Sequence, residues 1–279
     1  MSIAPVIDAG TAAGLHSPLF VDCRFELADP AAGEAAYRAG HLPGAVYAHL
    51  DRDLSDHGSD AAHAGRHPLP AAAQFAARLS AWGWLPGRHV VAYDGAGGAL
   101  AAARLWWLLV MARVPASVLD GGIQAWTAAG QPLSTDIPKP ADTHLDIAFD
   151  TDLLVDADEL THLMAENHAV LVDARARPRY LGEVEPIDAV AGHVPGALNR
   201  PFDQNLIDGR WRTSAELRQS FETLLGNRHP GDVVHMCGSG VTACHNVLAM
   251  AQAGLEGSRL FAPSWSGWSS DPDRPVARG

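Results

Sequence analysis

Gly40-His41-Leu42-Pro43-Gly44-Ala45 in the first half of the chain returns as Gly192-His193-Val194-Pro195-Gly196-Ala197 in the second. Other pieces recur around it in the same order. Leu19-Phe20-Val21-Asp22, with Arg24 close behind, matches Val170-Leu171-Val172-Asp173 with Arg175. His89-Val90-Val91-Ala92-Tyr93-Asp94-Gly95 matches Asp232-Val233-Val234-His235-Met236-Cys237-Gly238. Trp126 followed by Gln131-Pro132-Leu133 matches Trp268 followed by Arg274-Pro275-Val276. Order and approximate spacing hold throughout, which makes the chain two copies of one fold. In each copy, short Val- and Leu-rich runs (19–22, 89–93, 170–172, 232–236) alternate with helical patterns. That alternation predicts an α/β fold with a mainly parallel sheet flanked by helices. The stretch 99–112 is apolar nearly all round and predicts a buried helix, partly at the interface between copies. Pro132 to Phe149, with Pro138 and Pro140, reads as an extended connector. The expected division is a first domain at 1–137, a linker at 138–150 and a second domain at 151–279.

Composition narrows the classes of function. The 279 residues carry a formal net charge of −12, which disfavours nucleic acid and anionic membranes as partners. An anionic substrate has to be captured by local positive charge against that field. Three cysteines, Cys23, Cys237 and Cys244, are too few and odd in number for a disulfide framework. The fourteen histidines form no metal-ligand spacing; His63 and His67 sit in a Gly-, Ala- and Pro-rich loop, and no metal is expected. Met1 to Gly14 lacks a basic region followed by an apolar run, and the apolar stretch around Leu105–Val110 is too short to span a bilayer. The expectation is a cytoplasmic protein.

The two copies differ where chemistry would sit. Cys237 ends an apolar run and is followed by Gly238-Ser239-Gly240-Val241-Thr242 and a helical stripe at 244, 247, 248 and 251, closed by Gly254. Backbone N–H groups of such a loop, with the positive end of the helix behind it, favour a thiolate. The first copy has Asp94 at that place, which cannot act as a sulfur nucleophile, so the second copy is the reactive one. A second difference is length. His41 and Asp94 are 53 positions apart, His193 and Cys237 only 44, so the first copy is longer by about nine residues. The extra stretch falls between Asp51 and Pro68, and is either a solvated loop or an arm reaching the other copy's active loop.

Tandem copies, paired Gly-His-x-Pro-Gly-Ala phrases and a cysteine loop only in the second copy resemble the rhodanese-type sulfurtransferases over nearly the whole chain. The resemblance implies two tandem rhodanese-like domains, the first inactive and the second catalytic. Cys237-Gly238-Ser239-Gly240-Val241-Thr242 looks like the loop of the 3-mercaptopyruvate sulfurtransferases, and Trp265-Ser266-Gly267-Trp268 is similar to the family's closing signature, although Ala262-Pro263 departs from its usual turn. Implied chemistry is sulfur transfer through a Cys237 persulfide, from 3-mercaptopyruvate to cyanide or an acceptor thiol, a small thiol or a thioredoxin-like protein, with no cofactor. By the same resemblance Ser239, His67 and Asp51 form a proton-handling trio, and Arg179 binds the donor's carboxylate beside loop residues Gly238, Gly240, Val241 and Thr242. The mercaptopyruvate pattern usually has a second arginine a few residues after Arg179, where this chain reads Glu185-Pro186-Ile187-Asp188. That departure leaves open weaker carboxylate binding, replacement by Arg66, or a preference for thiosulfate.

The rival readings are a thiosulfate sulfurtransferase, a general persulfide carrier and a non-catalytic binding module. A phosphatase of this fold needs an arginine six positions after the cysteine, and Ala243 stands there. Asp22, Asp173, His41 and His193 occur in both copies and are therefore read as fold determinants, with Pro-Gly supplying turn geometry. Cys244 is expected to be packed and Cys23, after a strand end, partly exposed.

Overall fold

The computed structural model describes residues 3–58, 61–99 and 101–279. Leu100, and Ser59 and Asp60 of the extra stretch, lie outside the described residues. Strands β1 (Val6–Ile7), β2 (Leu19–Asp22), β3 (Val46–Tyr47), β4 (Val90–Tyr93) and β5 (Ala116–Leu119) form a sheet in the order β1-β5-β4-β2-β3. Strands β6 (Val170–Asp173), β7 (Leu198–Asn199), β8 (Leu206–Ile207), β9 (Arg210–Trp211), β10 (Val233–Met236) and β11 (Arg259–Leu260) follow. Here β11-β10-β6-β7 make a second sheet and β8-β9 a short ribbon. Every pairing in the two larger sheets is parallel. The order β5-β4-β2-β3 therefore repeats as β11-β10-β6-β7, as the sequence repeat predicts. What corresponds to β1 in the second sheet shrinks to a single bridge, Leu154 to Leu260.

Two compact units result. The first comprises residues 1–56, 69–150 and 207–211; the second comprises 57–68, 151–206 and 212–279. The segment His57–Pro68, which the chain order places in the first copy, thus belongs to the second unit. Of the two readings of the extra stretch, that of an arm describes His57–Pro68. The connector is not a free tether either. Residues 135–150 have no helix or strand, but Thr143 Oγ1 donates to the Trp84 carbonyl at 3.1 Å and Asp150 N to the Met111 carbonyl at 2.8 Å. Phe149 packs on Phe75. The stretch is stitched to the first unit along its length.

The repeated phrases do repeated work. In Leu42–Ala45 and Val194–Ala197, the fourth N–H returns to the first carbonyl at 2.9 and 3.0 Å, and Gly44 and Gly196 have φ of +73° and +81°. Proline second and a left-handed glycine third make a type II turn, which explains why Pro-Gly recurs. His41 stacks on Tyr37 and bonds its carbonyl through Nδ1; His193 does the same with Tyr180. Asp22 grips Arg24, and Asp173 grips Arg175, each guanidinium also donating to the carbonyl of Gly40 or Gly192 at 2.7 Å. Trp126 and Trp268 donate Nε1–H to the carbonyls of Pro132 and Pro275. These residues tie the turn, strand end and closing segment of each unit together, which is the fold role expected of them.

The nearly all-apolar helix is Ala102–Met111; every residue in it, the charged Arg104 included, is buried except Val110. Cys23 corrects the sequence reading. It is fully buried at the end of β2, where burial pushes its thiol well up, and it is not a candidate for surface redox chemistry. Cys244 is packed, as expected. Among the described residues no helix is long and apolar enough to cross a membrane.

Candidate active site

Parallel register decides where the cysteine loop emerges. Asp173 of β6 pairs with Met236 of β10, so Cys237 leaves the sheet beside the Asp173–Arg175 fork at the carboxyl end of the strands. Open parallel sheets present their ligand sites at this end. Gly240 turns the loop with φ of +79°, a conformation glycine adopts without strain, and helix Thr242–Gln252 follows at once. The turn aims Gly240 N–H at Cys237 Sγ, 3.1 Å away. Cys237 itself is 1% exposed, so a reagent must enter the loop to reach it.

The closing segment, beginning at Ser264, holds the loop from below. Ser264, buried and at φ of +54°, accepts Cys237 N–H on its Oγ at 3.0 Å and passes its own proton to the Phe261 carbonyl. The next two amides, Trp265 N–H and Ser266 N–H, donate to the carbonyls of Cys237 and Gly238, each at 2.9 Å. The closing Trp-Ser-Gly-Trp stretch is therefore the floor of the cysteine loop. Trp265 also lies under the Arg175 guanidinium at 4.6 Å. Ser266 stands in the closing signature and Ser264 just before it, but the role of neither was legible, because both act on loop backbone that only the fold brings near.

The arm completes the site. Arg66 N–H donates to Ser266 Oγ at 3.0 Å, and a methyl group placed on Gly267 would meet the His63 carbonyl at 2.4 Å, so the arm lies directly over the floor. Buried His67 and buried Ser239 share a hydrogen bond of 2.8 Å between Nδ1 and Oγ. The arm and Arg179 also bring two guanidinium groups to the loop. A methyl group on Gly238 would stand 3.1 Å from Arg66 Nη2 and 3.5 and 3.6 Å from the two Arg179 Nη atoms. Both arginines are held by carboxylates from the stretch that lacks the second arginine. Asp188 pairs with Arg66 and with Arg179, and Glu185 pairs with Arg179 at 2.7 Å.

Of the residues singled out from sequence, Cys237, Gly238, Ser239, Gly240, Val241, Thr242, His67 and Arg179 all lie in the second unit. Asp51 lies in the first, half-buried on the short helix Leu50–Asp53, with its N–H donating to His49 Nδ1 at 3.1 Å. In the first unit the corresponding loop is filled by its own side chain. Asp94 Oδ1 accepts N–H from Ala96 and Gly98 at 2.8 Å, and Oδ2 accepts from Ala102 and Ala101 at 3.3 and 3.4 Å. The carboxylate occupies the nest that the second unit turns toward a sulfur. Among the described residues no group of three His, Cys, Asp or Glu side chains is arranged to hold a metal ion.

Paired parallel sheets of one strand order, with a thiol loop in one unit and a carboxylate loop in the other, define a tandem rhodanese-like protein. The profile of the rhodanese-like domain matches residues 8–129 and again 156–271, and the chain belongs to the rhodanese family. It is 46% identical over the full length of both chains to a Pseudomonas aeruginosa protein named a probable 3-mercaptopyruvate sulfurtransferase. It is 40% identical, over 99% of this chain and 95% of the relative, to a Mycobacterium tuberculosis protein named a putative thiosulfate sulfurtransferase. Among solved structures, the 3-mercaptopyruvate sulfurtransferase from Leishmania major superposes with a TM-score of 0.83 at 33% identity, covering 95% of this chain and 74% of that one.

Proposed function

We propose that the chain is a sulfurtransferase that moves sulfur from 3-mercaptopyruvate to a thiol or cyanide acceptor through a persulfide on Cys237. The Cys237 thiolate attacks the donor sulfur; the carbon–sulfur bond breaks, its electron pair leaves on the pyruvate enolate, and the donor's thiol proton ends on that carbon. An acceptor thiolate then takes the outer sulfur and returns the Cys237 thiolate, or cyanide takes it as thiocyanate. Two half-reactions through a covalent enzyme give ping-pong kinetics. Gly240 N–H is directed at Sγ, the atom that makes the attack.

The observation that carries the reading is the 2.8 Å bond between His67 and Ser239, two residues from the nucleophile. Thiosulfate has no proton to relocate, whereas a thiol donor leaving as a ketone does, and a buried imidazole–hydroxyl pair suits that transfer. Asp51 keeps a place in the trio on the resemblance alone. Arg179 and Arg66 together supply the two guanidinium groups expected for the donor's carboxylate, the arm replacing the missing arginine. The acceptor is assigned to the class of small or thioredoxin-like thiols, the catalytic part to 151–279 with the arm, and the compartment to the cytoplasm, where thiols stay reduced.

Thiosulfate as donor is the second reading, favoured by the name of the relative at 40% identity. One experiment separates them: kcat/KM for 3-mercaptopyruvate and thiosulfate with a common acceptor thiol, in the wild type, Cys237→Ser and His67→Ala. Expected are a large ratio favouring mercaptopyruvate, no transfer by Cys237→Ser, and a ratio reduced by roughly 10²-fold or more in His67→Ala. Transfer by Cys237→Ser would overturn the mechanism, and equal losses with both donors in His67→Ala would overturn the proton role.

A further inference from the structure

We propose that Asp188 is a selectivity residue: lodged between Arg66 and Arg179, it cancels positive charge that would otherwise draw dianionic donors into the Cys237 loop. The inference rests on the assignment of that loop and its two arginines to donor binding.

Asp188 is set in place by a small folded turn. Glu185 Oε1 accepts N–H from Ile187 and Asp188, both at 3.1 Å, while Arg179 holds Glu185 through Nη2 at 2.7 Å and Nε at 3.2 Å. The turn delivers one Asp188 oxygen to Arg66 Nη1 and the other to Arg179 Nη2 at 3.2 Å. Behind them Arg175 reaches Glu185 at 3.5 Å and Asp173 at 2.7 Å. Three guanidinium groups, Arg66, Arg175 and Arg179, thus meet three carboxyl groups, Asp173, Glu185 and Asp188, and the cluster sums to zero. All six are screened from water, the most open being Arg66 at 29% side-chain exposure.

The cluster is still built to receive a ligand. Arg66 Nε is buried with no hydrogen-bond partner, and the Arg66 and Arg179 forks both approach Gly238, next to the nucleophile. An incoming carboxylate finds an unused N–H and two positioned forks without a net positive field. For a monoanion, geometry compensates for the absent field. A dianion such as thiosulfate, which benefits most from net charge, loses most by its absence. Coulomb energy scales with ligand charge, so one added unit of positive charge changes the logarithm of affinity twice as much for a dianion as for a monoanion.

The test uses unreactive anions on the full chain, so that it stands apart from the identity of the true donor. Pyruvate and sulfate are titrated by calorimetry into the wild type, Asp188→Asn and Asp188→Ser, with melting curves alongside. Expected is a tightening of about tenfold for pyruvate and about a hundredfold for sulfate in both variants, shrinking as salt is added. Equal tightening of both anions, or weaker binding of either by a folded variant, would overturn the proposal, since a residue that merely orders the arginines produces those results. Having two uncharged replacements keeps the result readable if one fails to fold. If wild-type enzyme turns over thiosulfate in preference to mercaptopyruvate while the anion titrations behave as expected, the donor assignment falls and the role of Asp188 stands.

Discussion

His235 shows what one buried side chain can do to this protein. It lies in the middle of β10, fully buried, with Nε2 against the Met250 sulfur at 3.1 Å and Nδ1 without a partner. Burial, with the nearby Arg200 cation adding to it, pushes its pKa down to about 3 from 6.5. A depressed imidazole is neutral in the fold while the unfolded chain still takes up its proton, so stability falls as pH drops from about 6.5 toward 3. The slope is on the order of 1 kcal/mol per pH unit. We expect His235→Leu to flatten the fall of Tm with acidity over that window; an unchanged pH profile would refute the assignment. His235 was legible as part of an apolar strand, but not its packing against Phe221 and Met250 or the nearness of Arg200. The same limit applied at Cys23, whose place after a strand end suggested exposure that packing removed.

At the scale of the element, one loop design is used twice with opposite fillings. Asp94 satisfies the N–H groups of its own loop, although burial raises its carboxyl above the ordinary range. Cys237 leaves the matching loop open to a ligand and takes a single N–H among the contacts described. Asp94→Ala strips buried N–H donors of their acceptor and is expected to cost about 2–3 kcal/mol. A lowering of Tm by several degrees in the whole chain checks this; an unaltered Tm would mean that water or backbone replaces the carboxylate at no cost. The repeat made the equivalence of the two loops legible before any coordinates, because strand, loop and helix are local patterns. The floor of the cysteine loop was not legible. Ser264 and Ser266 lie far along the chain from Cys237, and their contacts follow from β11 pairing beside β10.

At the scale of the molecule, net charge and local charge give opposing expectations for an anionic donor. The chain carries −12, and the arginine cluster beside Cys237 is neutralised by its carboxylates. Long-range repulsion therefore has no local attraction to offset it. Raising ionic strength from about 10 to about 150 mM shortens the screening length from roughly 30 to 8 Å. We expect kcat/KM for mercaptopyruvate to rise about twofold over that range. A fall would show that the arginines act as an exposed positive patch.

The amino-acid sequence alone determined the two copies, their mainly parallel sheets, the Pro-Gly turns at Gly44 and Gly196, and which copy carries a cysteine where the other has Asp94. All of these are written in neighbouring residues or in a repeated order, and local backbone preferences act over the same short range. The resemblance added the trio and Arg179. Tertiary structure alone decided that the arm His57–Pro68 joins the second unit, that Arg66 reaches Gly238 beside Arg179, and that Asp188 pairs with both arginines. These depend on which distant segments burial brings together. Arg66 and Asp188 are 122 positions apart, and no periodicity or local propensity couples residues over that distance.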